Sequence, residues 1–225
     1  MTTTVTLAGV ASGTHRVTVG PYNQPAMDIM YIVTSSTLAA VPSLSDIAGN
    51  VFAGNSFLSA DGSHYLQVWY AENCLGNTAN VVTVTGGGLS AVNATYYDIA
   101  ASQNPTIDIL GAFATTTPAL SSSVTASINN SSPNDVIIAT LFDEDQILTS
   151  ATAPSGFTQD AGSLLNGYCM SAWIVNAGGA GTYNVTWSNV VAPGTLDMVI
   201  SSFDPAPGSL SNWLSKQKCT GLNKH

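Results

Sequence analysis

The side chains best suited to chemistry in this 225-residue chain are its 13 acids, 3 histidines and 3 cysteines. Asp143-Glu144-Asp145 is the densest carboxylate cluster, and it follows a strongly apolar run, Asp135 to Phe142. Calcium takes six to eight oxygen ligands, so Asp143, Glu144 and Asp145 on one loop form a candidate calcium site. The loop lacks the EF-hand register and the glycine of its sharp turn, and a solvated acidic loop is the plainer reading. Glycoside hydrolysis needs two carboxylates at a set separation across a cleft, a distance no sequence contains.

Aromatic residues offer a second chemistry. In Tyr65-Leu-Gln-Val-Trp-Tyr70, strand alternation puts Tyr65, Gln67 and Trp69 on one face and Leu66, Val68 and Tyr70 on the other. Turned outward, Tyr65 and Trp69 would make a stacking strip for glycan rings. Turned inward, Trp69 and Trp173 fill a core, the more usual fate of large aromatics.

Nucleophilic catalysis requires a base beside the nucleophile. The histidines are His15, His64 and His225; Asp61-Gly62-Ser63 places His64 at a hairpin tip, exposed to solvent. There is no G-x-S-x-G elbow, HExxH, P-loop or G-x-G-x-x-G. Cys74, Cys169 and Cys219 show no metal spacing and read as buried free thiols. The expectation is a protein without catalytic residues or a resident cofactor, calcium aside.

These residues must be carried by strands. Gly, Pro, Asn and Asp punctuate the chain every eight to twelve residues, with Val/Ile/Thr/Tyr runs between, the pattern of a sandwich or barrel. Strands are expected at Val5–Leu7, Arg16–Val19, Asp28–Thr34, Phe52–Leu58, Tyr65–Tyr70, Val81–Thr85, Ala91–Ile99, Ser123–Ile128, Val136–Phe142, Tyr168–Val175, Tyr183–Ser188 and Asp197–Phe203. Asp61-Gly62 is a hairpin signal. The fold class is all-β, an antiparallel sandwich.

The two halves echo each other. Asp28–Thr34 resembles Asp135–Leu141, Val41-Pro-Ser43 resembles Ala153-Pro-Ser155, and Asp46–Gly49 resembles Asp160–Gly162. Trp69 matches Trp173, and Tyr96-Tyr-Asp98 matches Ser202-Phe-Asp204. The reading is two similar units of four or five strands packed face to face. Residues 1–25 form an N-terminal arm or edge strands, and 26–207 the sandwich with its pseudo-repeat (28–98 and 135–204). Residues 208–225 form a basic tail.

Charge narrows the partners. Charged residues are only 8% of the chain, and the formal net charge is −9. The cations are Arg16, Lys216, Lys218 and Lys224, so residues 17 to 215 contain none, while all 13 acids lie there. Ion pairing with Lys or Arg is impossible within that span. Such a surface repels phosphate backbones and anionic lipid, which excludes nucleic acid and membrane as partners. Apolar runs are strand-sized, and Met1–Val10 lacks the pattern of a secretory signal. A neutral, Thr/Asn-rich surface without a visible export signal suits a virus particle released by lysis, or otherwise an extracellular or cell-surface setting.

The landmarks have a family look. The loop Asp46 to Asn50, the strand Val68 to Asn73, the strand Gly76 to Thr85 and the closing Ile200 to Ala206 resemble jelly-roll β-sandwich proteins of phage virions and bacterial surface proteins. The likeness spans roughly residues 26 to 207 and consists of turns and core strands. Met27 and Asn134 stand where those proteins usually carry glycine. The resemblance implies virion or surface structure and supplies no catalytic residues.

In the tail, Leu210, Trp213 and Leu214 sit at helical spacing. They are candidate partner-binding residues, on a helix too short to stand alone. The expected function is a non-enzymatic virion structural protein: a capsid decoration protein or a head or tail fibre module. It would be a homo-oligomer contacting other virion or surface proteins. The alternative is a carbohydrate-binding or adhesin module, for which exposure of Trp69 or Tyr97 would speak.

Overall fold

In the computed structural model the Val/Ile/Thr/Tyr runs and a few short polar segments form sixteen strands among the described residues, every pairing antiparallel. It describes residues 4–37, 42–59, 62–86, 91–100, 106–115, 121–130, 135–145, 147–160, 164, 167–175, 180–191 and 194–204. Among the described residues there is no helix.

The first repeat holds β1 (Val5–Thr14), β2 (Arg16–Gln24), β3 (Ile29–Thr37), β4 (Ser43–Asp46), β5 (Ala53–Leu58), β6 (His64–Ala71), β7 (Asn77–Thr85) and β8 (Ala91–Ile99). The second holds β9 (Thr106–Thr115), β10 (Val124–Asn130), β11 (Val136–Asp143), β12 (Ser150–Thr152), β13 (Thr158–Gln159), β14 (Cys169–Val175), β15 (Gly181–Val191) and β16 (Leu196–Asp204). Sheet orders β1-β8-β3-β6-β5 and β2-β7-β4 recur as β9-β16-β11-β14-β13 and β10-β15-β12. Adding eight to each strand number converts one repeat into the other. Within a repeat the first strand pairs with the eighth, the second with the seventh and the third with the sixth. That is a long hairpin rolled into two sheets, a jelly-roll-like sandwich.

The repeated unit is longer than the landmarks 28–98 and 135–204. β1 and β2 are edge strands of the first repeat's two sheets, and their counterparts are β9 and β10. Each repeat is itself a two-sheet sandwich with its own core. Val17, Val19, Met30, Ile32, Val82, Val84 and Tyr96 form one; Val124, Ile128, Ile137, Leu141, Val185, Trp187 and Met198 form the other.

A third core joins the repeats. Ile29, Tyr31, Val33, Leu66, Val68, Tyr97 and Ile99 pack against Val136, Ile138, Phe142, Tyr168, Val199 and Phe203. The five-stranded sheets therefore stack face to face, giving four layers. Alternate residues of β3 serve different cores: Ile29, Tyr31 and Val33 face the other repeat, while Met30 and Ile32 face their own small sheet. All eight residues of β11 are buried for the same reason. A strand covered on both faces reads as a near-continuous apolar run, here with Thr140 and Asp143 as its buried polar members.

Cross-repeat contacts set the alignment. Tyr31 near the start of β3 donates to Ser201 Oγ near the end of β16 (3.0 Å) and packs edge-on against Phe203 (5.0 Å). Phe57 on β5 stacks on Phe113 of β9 at 5.3 Å. β3 and β11 thus run in the same sense, and their first residues lie at one end of the molecule.

Candidate functional site: the loop end of the first repeat

The loops that enter β3, follow β4 and leave β6 meet at this end. Asp46 organises them because one carboxylate can accept several N–H groups. Its Oδ1 accepts from the backbone N of Gly49 and Asn50 (both 2.9 Å), and its Oδ2 from Asn50 Nδ2 (2.6 Å) and Asn80 Nδ2 (2.9 Å). Asn50 Oδ1 in turn accepts from Leu75 N at 2.7 Å. Met27 N donates to Cys74 O (2.9 Å) and Cys74 N to Asp28 O (3.1 Å). Met27 and Asn73 sit at φ 74 and 52, left-handed backbone that Asn tolerates and Met seldom adopts. The Asp46–Asn50 motif is thus a loop clamp.

Beneath the loops lies a buried polar cluster. Asp98 Oδ2 accepts from Tyr22 OH and its Oδ1 from Gln24 Nε2, both at 2.9 Å. Gln24 Oε1 accepts from Tyr96 OH. Burial lifts the Asp98 carboxyl to about 6, the Tyr22 and Gln24 hydrogen bonds pull it down, and neighbouring Asp28 adds repulsion. Among the described residues no cation offsets the charge. Burial, the Asp98 hydrogen bond and the Asp98 charge raise Tyr22 to about 12.

Burial also pushes the Cys74 and Cys169 thiols up to about 12. Both are free and buried; at neutral pH they are thiols, not the thiolates that react or bind metal. Cys219 lies outside the described residues.

The cluster is specific to the first repeat. Pairing of Ile29 with Ile99 and of Val136 with Phe203 makes Ser202 the counterpart of Asp98 and Ile200 that of Tyr96. Sequence reading missed it because Tyr22, Gln24 and Asp98 meet only through sheet packing, 74 and 76 residues apart. The available signal was an acid closing an aromatic strand, Tyr96-Tyr97-Asp98.

The acidic loop of the second repeat is arranged differently from a cation cage. Asp143 Oδ1 accepts from Asp145 N (3.0 Å), Asp145 Oδ2 from Thr195 N (3.4 Å), and Glu144 N donates to Thr195 O (3.1 Å). The Asp143 and Asp145 carboxylates crowd Gly194, where a Cβ would lie 2.5 and 2.7 Å from their oxygens. Desolvation raises the Asp143 carboxyl above the usual range. Among the described residues no group of three His, Cys, Asp or Glu side chains could hold a metal ion. The loop is held to the β15–β16 turn through backbone N–H groups.

The Tyr65/Gln67/Trp69 face turns inward, contrary to a glycan-stacking strip. Gln67 is fully buried, and its Oε1 accepts from Thr34 Oγ1 (2.8 Å), which accepts from Trp69 Nε1 (3.2 Å). Trp69 packs on the first repeat's core, Tyr65 is half-buried, and Tyr97 is fully buried. His64, expected at an exposed tip, is 7% exposed and edge-on to Tyr168 at 5.4 Å. Its Nδ1 lies 2.6 Å from Ser63 Oγ. The hairpin itself forms: Gly62, at φ 71, donates to Ser59 O. Asp61, Leu210, Trp213 and Leu214 lie outside the described residues.

No family model matches the chain, and no curated protein matches it. Among solved structures, the extracellular domain of ANXUR2 from Arabidopsis thaliana aligns over 89% of this chain and 83% of that chain, with 6% identity and a TM-score of 0.18. A likeness that slight carries no argument about fold or function.

Proposed function

We propose that this is a non-enzymatic structural protein of a virus particle, a capsid decoration protein or a head or tail fibre module, working through protein–protein packing. The observation that carries the reading is where the apolar surface goes. Three cores bury it inside four layers, and the outer sheet of the second repeat presents neutral hydroxyl and amide pairs. Thr125 bonds Thr186 (2.8 Å), Ser127 bonds Asn184 (2.6 Å) and Thr182 bonds Asn129 (2.7 Å). Cross-strand pairs of this kind stiffen a sheet without charge, which suits a building block meeting copies of itself and other virion proteins. The carbohydrate-binding reading has less support, because Trp69 and Tyr97 point into cores. The test is to image purified particles and sequence their proteins. Regular copies of a four-layer body on the particle are expected; a dilute monomer absent from every particle would overturn the reading.

A further inference from the structure

Seven large apolar side chains are exposed among the described residues, and four of them crowd the loop end of the first repeat: Met27 (42%), Ile47 (62%), Val51 (89%) and Leu75 (55%). The Asp46 clamp and the Met27–Cys74 bond hold these loops in one fixed arrangement. Gly76 lies against Ala26, where a Cβ would be 3.2 Å from the Ala26 Cβ. Exposed apolar side chains gathered on one rigid set of loops mark a contact site.

The chain itself supplies an occupant. Asp204 closes β16 at this same end, since Phe203 and Ser201 meet Tyr31 near the start of β3. Beyond it run 21 residues with three lysines and no acid. Stacked sheets are about 10 Å apart, and the six residues from Asp204 to Leu210 reach up to about 20 Å. Asp46 and Glu72, both half-buried, belong to the same loops.

We propose that the segment 208–219 of this chain docks across the loop end of its own first repeat. Leu210, Trp213 and Leu214 cover Met27, Val51 and Leu75, and Lys216 and Lys218 face Asp46 and Glu72. Helical order in a segment this short needs such a surface, and the acids of this loop end favour a basic strap. The inference does not depend on the virion reading.

Limited trypsin digestion of the full chain tests it, because the only cleavage points are Arg16 and the three tail lysines. Docking slows cleavage after Lys216 and Lys218. The double variant Val51→Ser with Leu75→Ser should be cut there at least tenfold faster, with unchanged Tm and circular dichroism. Leu214→Ser, which leaves the body untouched, should do the same. The rate in the native chain should not change on hundredfold dilution. Equal cleavage in native and variant chains would overturn the proposal, as would protection lost on dilution, which assigns the surface to a neighbouring copy.

Discussion

Asp98 is a carboxylate that burial lifts well above its solution range, to about 6. Asp98 is 5% exposed, faces Tyr22, Tyr96, Gln24, Asp28 and Cys74, and meets no cation among the described residues. An acid that holds its proton more tightly when folded stabilises the fold while protonated. That contribution falls as the pH rises from about 4 to about 6 and is gone above. A two-unit displacement corresponds to roughly 3 kcal/mol at most. Asp98→Asn should flatten this part of the pH dependence and match or exceed the native Tm at pH 7, provided Gln24 turns its amide. Thermal melts of both chains at pH 4.5 and 7 decide it; parallel slopes would refute the assignment. The acidic loop makes a different prediction. With Asp143 and Asp145 bound to backbone N–H groups, calcium gains no preformed cage. Because a ligand of the native state must raise stability by mass action, 5 mM calcium should leave Tm unchanged within about 1 °C, and a larger rise would restore the calcium reading.

At the scale of the strand, Gly54 on β5 shows how tightly the edge of the inner sheet is set. A Cβ there would lie 2.5 Å from Val68 O and 2.8 Å from the Trp69 ring. Gly54→Ala should cost about 1–3 kcal/mol, as overpacking does, read as a lowered denaturation midpoint; a neutral outcome would mean β5 is loosely held. The same strands show what the sequence could reveal. The inner strands were legible because Val136–Ala139 and Ile29–Val33 carry apolar or aromatic side chains at consecutive positions, the pattern of burial on both faces. β4, β12 and β13 were not, being two to four residues of Ser, Thr, Gln, Leu, Ala and Asp. β9 also escaped notice, its run interrupted by Gly111. The repeat was visible through β3 and β11, whose cores correspond residue by residue. Other landmarks were displaced: Trp69 pairs with Ile32 and Trp173 with Ile138, so the counterpart of Trp69 is Ala172 and the two rings serve different cores. Asp46 closes β4 whereas Asp160 follows β13 and accepts from Tyr97 OH at 3.1 Å. Displacements of this kind, by one residue for the Trp pair and by a strand for the Asp pair, cannot be seen without the pairing register.

For the whole molecule, the question is whether two complete jelly-roll-like sandwiches are two folding units. The middle core argues that they are one. Separating the repeats would expose Val5, Ile29, Tyr31, Val33, Leu66, Val68, Tyr97 and Ile99 on one side alone. Burial of such side chains is worth about 1.5–3 kcal/mol each, so this face contributes on the order of 10–20 kcal/mol, comparable with the whole net stability of a typical domain. The cross-repeat bonds Tyr31–Ser201 and Tyr97–Asp160 would break in the same event, leaving buried hydroxyls to find water. Neither repeat should therefore persist without the other, even though each has its own small sheet and core. Calorimetry of the full chain should give one transition with equal calorimetric and van't Hoff enthalpies. Ile138→Ala, in the shared core, should lower that single Tm for both repeats together, at a cost of about 2–5 kcal/mol. Two resolved transitions, only one of them moved by the substitution, would show that the inner sheets touch without depending on each other.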